Sequence, residues 1–135
     1  MRPYKEWIDR AYSAFELSRD KVSEKVYYED LCARAQESAE KALKGLLVFY
    51  DVEPEYTHDI GKLLNELKKY TELNDEIKNT KHLTKYAYLT RYPGSYKDVI
   101  KEEHKRAVDL AEYCLDWVEM KINEESNWMM FAASM

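Results

Sequence analysis

Glycine and proline are nearly missing from this chain of 135 residues, with three of each. So few breakers exclude a turn-rich β architecture and a Pro/Gly linker between two folding units, and they leave long helices joined by short connections. Cysteine is equally sparse. Cys32 and Cys114 fall on apolar faces of helical patterns, where a free thiol packs as a small hydrophobe; two such residues form no disulfide framework and suit a reducing cytosol. No apolar run approaches the ~20 residues that cross a bilayer. The start, Met1-Arg2-Pro3-Tyr4-Lys5-Glu6-Trp7, has no apolar signal core, so the expected location is cytoplasmic, without membrane contact. The histidines stand at 58, 82 and 104 with no H-x-x-H or H-x-x-x-H spacing, and no C-x-x-C occurs; neither metal nor cofactor is expected. A Gly-rich phosphate loop and a G-x-S-x-G elbow are missing as well. Positive charge does not dominate. With 21 Lys and Arg against 26 Asp and Glu the net charge is −5, which argues against a broadly basic nucleic-acid coat but leaves room for a local cationic patch.

What the chain does have is apolar and helical. Hydrophobic residues make up 45%, with twelve Tyr and three Trp, enough for one core without staples. Pro3 suits a first helical turn, and Trp7, Ile8, Ala11, Ala14, Phe15 and Ser18 follow at three- and four-residue spacing toward Val22. Ser23 is placed to cap a second helix carrying Tyr27, Leu31, Ala35, Ala39, Ala42, Leu43, Leu46 and Tyr50 on one stripe, stopped by Asp51-Val52-Glu53-Pro54. Its other face pairs Glu37 with Lys41 and Glu40 with Lys44, the favourable i, i+4 orientation of a solvated surface. Thr57 is the expected cap of a short third helix with Ile60, Leu63, Leu64 and Leu67 inside. Asn74 caps a fourth, with Ile77, Leu83, Ala87 and Leu89 on one side, broken by Pro93-Gly94. Ser95 with Asp98 makes a capping-box-like start, or Asp98 is itself the cap, for a fifth that runs through Val99, Ala107, Ala111, Cys114, Val118 and Ile122. Short connections make successive helices antiparallel, so the expected fold is all-α: an up-and-down antiparallel bundle of four to five helices over residues 1–123. The tail 124–135, with Trp128-Met129-Met130-Phe131, has no strong helical period and either packs on the bundle or a partner chain, or frays.

Candidate chemistry gathers near the end of the fourth helix. Lys81, His82, Lys85, Tyr86, Tyr88, Arg91 and Tyr92 combine guanidinium, ammonium and aromatic faces, a set able to hold phosphate and stack a base. The same residues also suit the wet end of a bundle, and Lys41 and Lys44 share that ambiguity. Glu102 and Glu103 stand too close to His104 for the Glu-x-x-His spacing of a di-iron bundle. His58 reads as a helix-start residue bonding local backbone rather than as a general base.

Four segments in order, A-E-K-A-L-K-G-L-L at Ala39–Leu47, T-H-D-I-x-x-L-L at Thr57–Leu64, R-Y-P at Arg91–Pro93 and A-x-x-L-A-E-Y-C-L at Ala107–Leu115, resemble the HEPN domain family over about residues 5 to 123. The resemblance implies a compact helical bundle, usually a homodimer, often working with a minimal nucleotidyltransferase in pairs of toxin–antitoxin type. In ribonuclease members an R-x(4-6)-H motif supplies an Arg for the scissile phosphate and a His for acid/base work. This chain departs there: after Arg91 the next histidine is His104, thirteen positions on, and no arginine has a histidine at the motif's spacing. Three functions follow. The first is a homodimeric nucleotide- or partner-binding module using Arg91, Tyr92, Lys41, Lys44, Tyr88 and Lys85. The second is an RNA-cleaving enzyme with a displaced catalytic set, for which Arg91 with His104 or His82 are the candidates. The third is a structural oligomerisation domain.

Overall fold

The computed structural model describes residues 2–89, 91–94 and 96–135. Helix α1 spans Tyr4–Arg19, α2 Tyr28–Phe49 and α3 Ile60–Leu67; α4 (Asp75–Asn79), a 3-10 segment (Thr80–Lys85) and α5 (Tyr86–Leu89) follow in line, and α6 runs Lys101–Ala133. Counting α4 to α5 as one rod, the architecture is the expected all-α, up-and-down antiparallel bundle of five. Among the described residues there is no strand.

Helix α2 sits at the centre, packed by α1, α6, α3 and α5. Its stripe of Ala35, Ala39, Ala42 and Gly45 is what lets neighbouring backbones come close: Ser38 Oγ donates to the Ala11 carbonyl of α1 at 2.8 Å, and Cys114 Sγ of α6 lies 3.8 Å from the Ala39 carbonyl. At Gly45 the approach is tightest, since a Cβ there would meet Ile8 Cδ1 at 2.9 Å and Trp7 Cβ at 3.0 Å. Leu43, Leu46 and Leu47 share one core with Ile60, Leu63 and Leu67 of α3, all essentially buried. Each such side chain contributes roughly 1.5–3 kcal/mol of apolar burial.

Helix ends depart from the expected ones where local caps meet tertiary bonds. Helix α1 stops at Arg19, and Ser23 caps only a single turn, its Oγ accepting from Lys25 N–H at 3.1 Å, so α2 starts at Tyr28. Asp59, not Thr57, caps α3: its Oδ1 accepts from Lys62 N–H, while Thr57 Oγ1 accepts from Asp59 N–H. Asn74 caps α4 as expected, at 2.8 Å to Ile77 N–H. That helix tightens to 3-10 at Thr80, whose hydroxyl donates to the Ile77 carbonyl, and Thr84 Oγ1 takes the first amide of α3, Ile60 N–H. The Ser95 half of the anticipated capping box lies outside the described residues; α6 begins only at Lys101, behind Ile100. Upstream, the buried Glu29 carboxylate accepts Val99 N–H at 2.6 Å and ties this connection to α2. Residues 124–133, anticipated as a tail, continue α6 as helix.

Candidate functional site

Residues 36, 40 and 44 follow one another at i+4 along α2, so Gln36, Glu40 and Lys44 form a single polar row. This row is not solvated. Glu40 and Lys44 are under one-tenth exposed and paired at 2.9 Å, because α1 and the segment before α3 close over them. Trp7 from α1 and Tyr56 place rings 5.9 and 6.0 Å from Lys44 Nζ. His58 arrives on the non-helical stretch leading into α3, and its Nδ1 lies 2.9 Å from Glu40 Oε1. Gln36 Nε2 donates both to Glu40 (3.0 Å) and to the His58 carbonyl (3.1 Å), fixing ring and backbone together. His58 therefore bonds a buried carboxylate across the fold, not the local backbone its sequence position suggested. An ionised carboxylate can only accept, so Nδ1 is the donor of this pair, on a ring that is half-exposed.

The next i+4 pair, Glu37 and Lys41, lies at the rim with Arg34, with ion-pair distances of 3.1 Å (Lys41) and 3.0 Å (Arg34) to Glu37. Burial pushes the Glu37 carboxyl up, but the bonds and charges of Arg34 and Lys41 outweigh it and hold the group below its ordinary range. Across from α2, the start of α5 supplies Tyr86 and Ala87, and the turn after that helix supplies Arg91. Together these residues enclose a groove of about 320 Å³. Arg34, Lys41 and His58 each face a carboxylate, whereas no ion pair among the described residues involves Arg91, which lies over the Tyr88 ring at 5.8 Å. The Tyr86 hydroxyl is bonded to Glu103, and burial first, then that bond, raises it far above ordinary phenol values. It is a fixed wall, not an acid.

The anticipated site residues divide. Arg91 and Lys41 line the groove; Lys44 lies behind it, committed to Glu40. Tyr88 and Tyr92 are exposed beside Arg91, and Lys85 is turned toward Glu103, 3.9 Å away. His104 is elsewhere: buried, its Nε2 donates to the Ser18 carbonyl at 2.7 Å and its ring lies against Tyr28. His82 lines a separate open cavity with Arg106 and Tyr113. The histidine that does meet Arg91 in one groove is His58, inside the T-H-D-I segment but unmarked by any catalytic spacing. Glu55 does stand three residues before His58, the Glu-x-x-His spacing, but on irregular chain and not on a helix face, and no cluster suited to a metal occurs among the described residues.

A model of the HEPN domain matches residues 4–121. Among solved structures the chain is similar to TT1696 from Thermus thermophilus, at 27% identity and a TM-score of 0.78, and to ST0689, an archaeal HEPN homologue, at 29% and 0.71. Each comparison covers 90% of this chain and 99% of the other. The search of curated proteins gives no match.

Proposed function

The chain belongs to the HEPN domain family, and from that premise we propose that it is a nucleotide-binding module, a homodimer working with a minimal nucleotidyltransferase, that takes the ligand's phosphates between Arg91 and Lys41. The observation that carries this is the meeting of Arg91, Lys41 and His58 in one groove beside the exposed rings of Tyr88 and Tyr92. A guanidinium without a carboxylate partner forks onto phosphate oxygens, and a neighbouring phenol ring stacks a base. Thermal unfolding with ATP, GTP and CTP tests it. At a nucleotide concentration 100-fold above the dissociation constant, linkage adds about 2.7 kcal/mol to stability. Arg91→Ala is expected to abolish the shift; no shift in the wild type with any nucleotide, or an unchanged shift in the variant, refutes the site. Co-purification with a nucleotidyltransferase encoded beside it tests the partner.

RNA cleavage is the second reading, and one observation favours it: the Glu40-oriented imidazole of His58 shares the groove with Arg91. In that chemistry His58 Nε2 accepts the proton of a ribose 2′-hydroxyl, the 2′-oxygen attacks the adjacent phosphorus, and the P–O5′ bond breaks. The 5′-oxygen takes a proton from solvent, leaving a 2′,3′-cyclic phosphate, while Arg91 balances charge on the phosphorane. Cleavage of a labelled RNA by the wild type and its loss in His58→Ala and Arg91→Ala would support this reading; intact RNA in all three removes it.

A further inference from the structure

Two carboxylates line the groove, and their commitments differ. Glu40 takes Lys44 on one oxygen and both His58 and Gln36 on the other, so its charge serves groups beneath the groove and along its floor. Glu37 meets only cations of the groove itself. Its Oε1 lies 3.1 Å from Lys41 Nζ, and its Oε2 accepts from Arg34 at 3.0 Å, the three residues standing at i, i+3 and i+7 on one face of α2. The Lys41 and Glu37 side chains are 25% and 31% exposed, so this pair is neither fully solvated nor sealed, and an anion entering the groove reaches it. Burial pushes the Glu37 carboxyl up, but its two partners outweigh that and hold it below the ordinary range, so it is ionised at neutral pH. A phosphate approaching Lys41 finds that place taken.

We propose that Glu37 is a resident counter-ion, which the ligand's phosphate must displace from Lys41 and Arg34, and which thereby holds the groove's affinity down. The inference rests on the nucleotide reading above and adds the regulation of that same site. Arg91, with no ion pair among the described residues, offers the first contact, and Lys41 becomes available as Glu37 lets go. Charge explains why a carboxylate belongs in an anion site. Without it, Arg34 and Lys41 would stand with Arg91 around an empty groove and repel one another. Glu37 therefore stabilises the free protein and weakens the complex. Two partly exposed ion pairs given up together amount to about tenfold in an equilibrium constant.

Titration calorimetry on the full chain, with ATP and separately with pyrophosphate, decides the matter in the wild type, Glu37→Gln, Lys41→Ala and the double variant. Glu37→Gln is expected to bind about tenfold tighter than the wild type while unfolding at a lower temperature. A misfolded variant would bind less, so damage to the fold cannot imitate this result. In the Lys41→Ala background the same substitution is expected to gain only about threefold, because the Arg34 pair alone remains to be given up. Equal or weaker binding by Glu37→Gln overturns the proposal, as does an undiminished tenfold gain with Lys41 removed, which would mark a through-space effect and no displaced pair. Failure of the nucleotide reading gives a different pattern. Pyrophosphate bound more tightly by Glu37→Gln, with no ATP binding in any sample, leaves the counter-ion standing and refutes the nucleotide reading; no binding of either anion by the wild type or Glu37→Gln overturns both.

Discussion

Removing the Glu40 carboxylate tests whether the buried row beneath the groove is held together as described. Glu40 accepts from Lys44, His58 and Gln36 at 2.9, 2.9 and 3.0 Å, and it and Lys44 are both under one-tenth exposed. Glu40→Ala leaves the Lys44 ammonium buried without its counter-charge, a change that costs about 3–5 kcal/mol in comparable sites. The lower end applies here, because Lys44 keeps the faces of Trp7 and Tyr56 near 6 Å and has a flexible stem that can turn to water. The expected loss is therefore ~3 kcal/mol, or a fall in Tm of about 10 °C for a domain of this size. Glu40→Met/Lys44→Met removes both charges while keeping volume, and it should return to within ~1 kcal/mol of the wild type. Urea unfolding measures the difference as a shift in midpoint at constant slope. A single variant within 1 kcal/mol of the wild type, or a double variant as unstable as the single one, would refute the description of Glu40 and Lys44 as a coupled buried pair. The double variant also separates stability from function: it folds without the carboxylate that orients His58, so any RNA cleavage should fall while the Tm recovers.

Gly45→Ala should lower stability by up to ~2 kcal/mol in thermal unfolding, because overpacking against Trp7 Cβ and Ile8 Cδ1 outweighs the ~1 kcal/mol gained in helix propensity; a rise in Tm would show that α1 yields. Glu37 is held below its ordinary range, so its contribution is fully present above the unfolded-state carboxyl value and is lost as pH falls through the lower, folded one. The stability gap between wild type and Glu37→Gln should accordingly be flat from about pH 7 to 5 and close below that, and a gap that widens on acidification contradicts the Arg34–Glu37–Lys41 arrangement. Burial, then the charges of Glu103 and Glu29, pushes the Cys32 thiol up to about 12, and burial raises Cys114 as well. Neither cysteine should react with an aromatic disulfide reagent at pH 8 until denaturant is added, when both should; rapid labelling of the native protein would contradict the packing of α2 against α6.

The apolar spacing of Leu43, Leu46 and Leu47, of Ile60, Leu63 and Leu67, and of Ala107, Ala111 and Cys114 was enough to read the helices and their inner faces, because a 3.6-residue period needs only the local sequence. The pairing of Glu37 with Lys41 and of Glu40 with Lys44 was legible for the same reason. Their difference was not. The first pair is a rim contact and the second is buried, and what separates them is cover from Trp7 and from the segment carrying His58, residues far off in sequence. Helix starts were misplaced at Ser23 and Thr57 because both residues do cap, but each caps a local turn while the helix begins a few residues later.

Composition and periodicity by themselves determined an all-α chain with few turns and an aromatic, cationic set near the end of the fourth helix that includes Arg91. Tertiary structure decided which histidine stands near that arginine. His104 follows it in sequence but turns inward to the Ser18 carbonyl, while His58, thirty-three positions earlier, reaches the groove because the α2–α3 connection folds back over Glu40. It also decided that the last residues continue α6 as helix: Ile122 is the last buried residue, and the large side chains from Trp128 onward stand exposed.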